Sequence, residues 1–427
     1  MAARTPGFNT LAIHAGARPD PATNARATPI YQTTSYVFDS SEHAADLFAL
    51  RAFGNIYTRI MNPTQAVLEE RVAALEGGTA ALAVASGHAA QAVVFHTLMQ
   101  PGAEFVAARQ LYGGSINQFN HAFRKCGWHV RWADGDDPAS IEGQLSDKTR
   151  AVFIESVANP GGIVMDIEKI AAAAHGAGVP LVVDNTLATP YLCRPADYGA
   201  DIVVHSLTKF MGGQGNSIGG VIVDCGSFDW AQSDRFPDLA EPHPSYHGIN
   251  LYETFGNIAF AIACRVLALR DFGPAMAPMN AFLLLNGIET LPLRMERHCA
   301  NALEVAKFLD GHPRVDWVNY AGLAGNRHAA LASKYCPKGA GAVFTFGLKG
   351  GYQAGVRLVE GVELLSHLAN VGDAKSLIIH PASTTHSQLT DEEKVLAGAG
   401  PEVVRLSVGI EDAADIIADL DQALAAA

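Results

Sequence analysis

From residue 80 onward, short runs of apolar and β-branched residues alternate with segments whose apolar positions recur every three or four residues. The runs are "AALAVAS", "AEFVAA", "GWHVRWAD", "TRAVFIES", "PLVVDN" and "DIVVHS", and segments such as "GHAAQAVVFHTLM" and "DIEKIAAAAHGAG" lie between them. Each run closes in a polar or small residue. This alternation predicts an α/β fold in which a mostly parallel sheet is covered by helices. Ahead of it, "TQAVLEERVAALEGG" places Val67, Leu68, Val72 and Leu75 at near-helical spacing and stops at Gly77-Gly78, so a helix is expected after Asn62-Pro63-Thr64. The residues before it, rich in Pro, Thr, Asn and Ala and ending in "GNIYTRIMNPTQ", read as an irregular arm. From about residue 275 a long helix around "NALEVAKFLDGHP" joins strands "RVDWVNYA", "GAVFTFGLKG" and "VVRLSVGI" in a smaller C-terminal α/β domain. The expected division is therefore an arm over 1–62, a sheet domain over 63–274 and a second domain over 275–427.

Composition narrows the function classes. At 427 residues, 49% hydrophobic and only 17% charged, the chain can build a large core and is neither disordered nor fibrous. Acidic residues outnumber basic ones 43 to 30, and the net charge of −13 argues against nucleic acid as a partner while leaving room for a local site that takes one phosphate. The six cysteines stand singly, without a CxxC pair, and read as reduced thiols. The N-terminus lacks a basic segment followed by an apolar core, and no apolar run is long enough to span a bilayer. A cytoplasmic protein without a membrane partner is expected.

Ligands of parallel sheets bind beyond the carboxyl ends of the strands. Those ends offer Ser86-Gly87-His88, "LYGGS" with Tyr112, "ESVANP" with Glu155 and Asn159, "VVDNT" with Asp184, and "HSLTK" with Ser206, Thr208 and Lys209. Ser86-Gly87-His88 sits where a strand gives way to a helix, so its amides and hydroxyl can face an anion. Taken singly, each has a plain reading: Ser86 as an N-cap, Asp184 as a turn or surface ion-pair residue, Thr208 as a loop hydroxyl. The glycine run "GGQGNSIGG" fails the GxGxxG dinucleotide pattern, since Ile218 occupies the last required glycine. A lysine directly after a β-branched run is costly to bury unless it is paired, neutral or covalently occupied. Together, a lysine, a carboxylate and a phosphate cradle are the parts that pyridoxal phosphate requires: a Schiff-base nitrogen, an acid for the ring nitrogen and donors for the phosphate.

On these residues the chain resembles a known family. "VVDNTLATPYLCRPADYGADIVVHSLTKFMGG" is similar to the cofactor segment of the Cys/Met-metabolism family of pyridoxal-phosphate enzymes, and the likeness runs from "PIYQTTSYVF" through "YTRIMNPT" to "RLSVGIED". The resemblance implies the type I fold of pyridoxal-phosphate transferases, aspartate aminotransferase-like, with a seven-stranded sheet in the large domain. It implies pyridoxal 5'-phosphate on Lys209, which also moves protons between substrate carbons, with Asp184 on the ring nitrogen. Ser86, Gly87, His88, Ser206 and Thr208 are implied at the phosphate, joined by Tyr57 and Arg59 from a neighbouring subunit. Tyr112 is implied to stack on the ring and to share the acid–base work, and Asn159 to approach the ring hydroxyl. Arg405 is implied to clamp the substrate carboxylate through its planar fork, with Ser376, Tyr57 and Glu155 also on the substrate side. A homo-oligomer follows, a tetramer built from active dimers.

Some positions depart from the common pattern: His88 stands where many relatives have methionine, Val157 interrupts "ESPxNP", and Gly114 stands where methionine γ-lyases carry cysteine. The stretch "NVGDAKSLIIHPASTTHSQL" and the insertion "DWAQSDRFPDLAEPHPSYHGINLYETFG" resemble the O-acetylhomoserine sulfhydrylase subgroup more than the "GGxESL" cystathionine enzymes. His380 and His386 are six apart without clustered acids, and no metal is expected. The expected reaction is γ-replacement on O-acetyl-L-homoserine by sulfide, giving homocysteine and acetate, or by methanethiol, giving methionine. A γ-lyase, a cystathionine synthase or lyase, an O-succinylhomoserine sulfhydrylase and, more distantly, a non-catalytic pyridoxal-phosphate regulator are the alternatives.

Overall fold

The computed structural model describes residues 6–385, 387, 390–396 and 398–427. His386, one of the two histidines weighed for a metal, lies outside the described residues. Seven strands form the main sheet: β1 (Ala80–Val84), β2 (Glu104–Ala108), β3 (His129–Ala133), β4 (Thr149–Glu155), β5 (Leu181–Asp184), β6 (Ile202–Ser206) and β7 (Gly220–Asp224). Their spatial order is β1-β7-β6-β5-β4-β2-β3. β7 pairs antiparallel with both β1 and β6, and the other pairings are parallel. The parallel strands therefore deliver Ser86, Tyr112, Glu155, Asp184 and Ser206 to one edge of the sheet. The strands read as near-continuous apolar runs because both faces are covered; Val106, Phe153, Val182, Val203 and Ile222 are fully buried.

Local chemistry sets the elements that lead into this edge. Helix α3 (Pro63–Glu76) starts where the Asn62 side chain accepts a hydrogen bond from the Thr64 amide, with proline in its first turn, and ends at Gly77 in the left-handed region at φ 76°. The segment before it is not wholly irregular. It carries α1 (Phe8–His14) and α2 (Ser41–Phe48), the latter capped by Ser40, which accepts from the His43 amide. Helices of 7 and 8 residues leave little periodicity to read; α2 has its Ser40 cap as a signature, and α1, which follows Gly7 with no side-chain cap, has none.

A five-stranded sheet follows: β8 (Val315–Asn319), β9 (Val343–Leu348), β10 (Ser366–His367), β11 (Leu377–Ile379) and β12 (Val403–Ser407), in the order β8-β9-β12-β11-β10. Arg405 lies on its central strand, paired in register with Thr345 on one side and Ile379 on the other. Two buried polar assemblies brace the large sheet. His205 Nε2 and Glu76 Oε1 lie 2.6 Å apart with both side chains fully buried, and the Asn185 amide donates to the same oxygen at 2.8 Å. Arg294, on the helix Leu291–Asp310, donates to the carbonyls of Phe210, Met211 and Gly287. It thereby fixes the turn that immediately follows Lys209.

Candidate active site

The strand ends and the small sheet enclose one cavity of ≈ 240 Å³. Its walls include Ser86, Gly87, His88, Tyr112, Glu155, Asn159, Asp184, Ser206, Thr208, Lys209 and Arg405, so residues spread over more than three hundred positions converge there. Ser86 caps the helix α4 (Gly87–Leu98), its Oγ accepting from the Ala89 amide at 3.1 Å. Gly87 is held so close to β6 that a Cβ there would stand 2.8 Å from Ser206 Cβ. Thr208 Oγ1 accepts from the Gly219 amide at 3.1 Å, and Thr186 Oγ1 accepts from the Ser206 amide at 2.8 Å. This end therefore combines a helix N-terminus with convergent hydroxyls, a cradle for an anion.

Asp184 faces the same cavity, its Oδ1 accepting from the Thr186 amide at 3.0 Å and its Oδ2 from Gln91 at 3.4 Å. Burial raises its pKa, against the pull of the Thr186 donors and the His205 imidazole. Glu155 is its in-register neighbour on the adjacent strand. Burial first, and the Asp184 charge second, push the Glu155 carboxyl up to about 8. The two Glu155 oxygens accept from the Tyr112 amide at 2.7 Å and the Asn159 amide at 2.8 Å. Glu155 thus lines the cavity, as expected of its position, and at the same time ties the Tyr112 and Asn159 loops together through its two oxygens.

Two cationic groups share the cavity, Lys209 just past the end of β6 and Arg405 on the small sheet. Burial, with a smaller contribution from the Arg405 charge, brings Lys209 down to about 8. Arg405 is itself brought down to about 10 by burial. Its Nη1 donates to Asn159 Oδ1 at 3.2 Å and its Nη2 to the Asn370 carbonyl at 3.1 Å. Among the described residues neither Lys209 nor Arg405 has a carboxylate ion-pair partner. A buried guanidinium satisfied only by neutral oxygens is prepared for an anionic ligand.

Ser376 is not in this cavity. Its hydroxyl donates to Glu411 at 3.0 Å and accepts from the Gly409 amide at 2.8 Å, so it secures the loop ahead of β11 and has no part in the cavity wall. Tyr57 and Arg59 also lie outside the cavity of their own chain; with Thr58 and Gln32 they line a separate surface pocket. The side chain of Arg59 donates to the Arg270 carbonyl. His88 packs edge-on against the Tyr112 ring at 5.8 Å between centroids, so it supports the ring as well as lining the cavity. Gly114 is part of the same arrangement, because a Cβ there would stand 2.3 Å from Tyr112 Cε1 and 2.9 Å from His88 Cε1.

Three further residues that frame the site lie within quoted motifs, but the sequence pattern gives them no role there. Gln91 is one helical turn beyond the Ser86 cap, Thr186 lies just past Asp184, and Asn370 sits in the loop before "VGDAKSL" with its Oδ1 at 2.5 Å from Lys209 Nζ. The residues present fit pyridoxal phosphate. A buried carboxylate stands ready for the ring nitrogen, an anion cradle that a single Cβ would obstruct stands ready for the phosphate, and an amine of lowered basicity reaches the same cavity.

A family model described as Cys/Met metabolism PLP-dependent enzyme matches residues 9–425. The O-acetyl-L-homoserine sulfhydrylase of Leptospira meyeri is 53% identical over 424 residues, covering 97% of this chain and 96% of that protein. The homocysteine synthase of Schizosaccharomyces pombe is 52% identical over 98% of each chain. A crystal structure from Campylobacter jejuni, described as a putative O-acetylhomoserine (thiol)-lyase with an N'-pyridoxyl-lysine-5'-monophosphate residue, aligns with a TM-score of 0.95 at 41% identity, over 98% of this chain and all of that one.

Proposed function

The chain belongs to the Cys/Met-metabolism family of pyridoxal-phosphate enzymes, and from that premise we propose that it carries out γ-replacement on O-acetyl-L-homoserine, with sulfide as the incoming nucleophile and homocysteine and acetate as products. The observation that carries the reading is the meeting in one cavity of Lys209, Asp184 and a buried Arg405 without a carboxylate partner. Replacement is further supported by the relatives named O-acetyl-L-homoserine sulfhydrylase and homocysteine synthase, and Gly114 differs from the cysteine of methionine γ-lyases at a point where any side chain would crowd Tyr112 and His88.

When bound, pyridoxal phosphate supplies an electron sink for carbanions formed next to the substrate amine. Asp184 would hold the ring nitrogen in its protonated form, and the cradle of Ser86, Gly87, Ser206 and Thr208 would hold the phosphate. Arg405 grips the substrate carboxylate with the planar donor fork that a lysine lacks. The Lys209 amine, a usable base near neutrality because of its burial, takes the proton from Cα, would pass it on to the bound cofactor, and with its lone pair restored takes one from Cβ. The Cγ–O bond breaks with release of acetate, the Cγ–S bond forms with sulfide, and Lys209 returns the protons to Cβ and Cα. Tyr112, which lines the same cavity, would stack on the ring and share the acid–base work near Cγ. Methanethiol in place of sulfide gives methionine by the same residues.

We further assign the catalytic unit to a homo-oligomer in the cytoplasm, with residues 63–274 as the cofactor domain, 275–427 as the domain that carries Arg405, and the arm over 1–62 crossing to a neighbour. Supporting the crossing, Tyr57 and Arg59 lie outside their own cavity and line a surface pocket instead. The decisive experiment is product analysis on the yellow, cofactor-loaded protein. Homocysteine that forms only when O-acetyl-L-homoserine and sulfide are both present, and not at all with Lys209→Ala, is the expected result. Release of 2-oxobutyrate and ammonia without sulfide at a comparable rate would move the protein to the lyases.

A further inference from the structure

Asn370 makes two contacts that divide cleanly between its side chain and its backbone. Its Oδ1 lies 2.5 Å from Lys209 Nζ, whereas its carbonyl accepts from Arg405 Nη2 at 3.1 Å. The loop that carries it is tied down on both sides. The Ala374 amide donates to the Gly213 carbonyl at 2.9 Å, four residues past Lys209, and the Gly372 amide donates to Ser407 Oγ at 2.9 Å, two residues past Arg405. Gly372 itself has φ of 73°, and a Cβ there would meet the Phe210 amide nitrogen at 2.6 Å, so the loop lies flat against the turn that follows the lysine. One short segment thus fixes the distance between the amine and the guanidinium.

We infer that Asn370 is a positioning residue for Lys209, holding the free amine through its side-chain oxygen so that the nitrogen lone pair is presented to the cavity at a set distance from the carboxylate-gripping Arg405. The inference rests on the reading of Lys209 as the base of the replacement reaction. An amide oxygen suits this role because it accepts one N–H from the amine and brings no charge that would bind the amine's proton more tightly. The other charged or titratable groups around the amine are Arg405 at closest range and Asp184, Glu155, Tyr112 and His88 across the cavity. Substitution at 370 leaves all of them in place, and it also leaves the backbone carbonyl that receives Arg405.

The experiment compares wild type, Asn370→Ala and Asn370→Asp in two assays. The first follows the rate at which protein stripped of cofactor takes up pyridoxal phosphate as a function of pH, which reports the free amine of Lys209 without any substrate. Asn370→Asp keeps the size and the acceptor but adds a negative charge, so the midpoint of its pH profile should move up by about one unit. The second assay is steady-state turnover, where Asn370→Ala should lower kcat about tenfold or more while the KM for the ester changes less than about threefold. A midpoint for Asn370→Asp that coincides with wild type overturns the inference, as does a kcat for Asn370→Ala within about twofold of wild type. Should the alanine variant fail to fold, the near-isosteric aspartate variant decides alone. A wild type that makes no homocysteine but whose uptake profile still shifts with Asn370→Asp would sink the proposed reaction and leave the positioning role standing.

Discussion

Arg405 and Glu155 show how one side chain's surroundings decide what it can do. Arg405 meets the cavity as a planar fork among neutral acceptors, so Arg405→Lys removes the bidentate geometry while keeping the charge. The expected loss is about 2 kcal/mol, read as a rise of roughly thirtyfold in the KM for O-acetyl-L-homoserine with a smaller change in kcat. Glu155 leads to a prediction about pH. Its carboxyl is raised from 4.5 to about 8 by burial and by Asp184, so the folded protein holds this proton more tightly than the unfolded chain does. Its contribution to stability is therefore complete below about 4.5 and is lost as the pH rises through about 8. Urea unfolding of the cofactor-free protein at pH 5 and pH 8.5 should show the decline, and Glu155→Gln, which cannot ionise, should flatten that part of it. Lys209, Asp184 and Ser86 are legible in the sequence because each is adjacent to a strand end that is itself legible. Asn370 is not, because its contact with Lys209 spans 161 residues and exists only after two sheets have packed. A motif reveals a residue's neighbourhood and not its partners: the bonds of Ser376 to Glu411 and Gly409, and of Glu155 to Tyr112 and Asn159, appear only in the folded chain, where Glu155 lines the cavity and Ser376 lies outside it.

At the scale of elements, the site depends on how closely α4 approaches β6. Gly87 permits that approach, and Gly87→Ala should force the helix start away from Ser206, raising the Kd for pyridoxal phosphate about tenfold or more with little change in the fold. Equilibrium titration of the stripped protein with the cofactor would measure it, and an unchanged Kd would mean that the cradle is not at this corner. The parallel strands and the helix Pro63–Glu76 follow from apolar period and capping, signals that are strong in long elements. The short helices of the first sixty residues do not, since a turn or two of helix is fixed by what it packs on and, for α2 alone, by a single side-chain cap. The helix Pro278–Glu289 likewise packs against Pro63–Glu76 beside the first sheet, a partnership across more than two hundred residues that no local pattern announces.

For the whole molecule, the arm makes a prediction about assembly. If Tyr57 and Arg59 complete a neighbour's site, mixing Arg59→Ala chains with Lys209→Ala chains should regenerate working sites that neither variant has. In a freely exchanged equal mixture of two-fold dimers about a quarter of the sites are restored. Activity that stays at the sum of the two separate variants would confine each site to one chain. The two sheets both contribute to the cavity, the carboxylates from the large one and Arg405 from the small one, with Asn370 on the loop that joins β10 to β11 within the small sheet. Lys209 and Arg405 are buried together without a carboxylate partner among the described residues, and that has a consequence outside catalysis. Two cations facing the same dry space weaken the empty protein, and an anionic ligand that enters between them stabilises the fold by its own binding free energy. Cofactor binding should therefore raise the stability of the folded chain, and the amount of this protein that survives in a cell should follow the supply of vitamin B6 as well as the rate of synthesis.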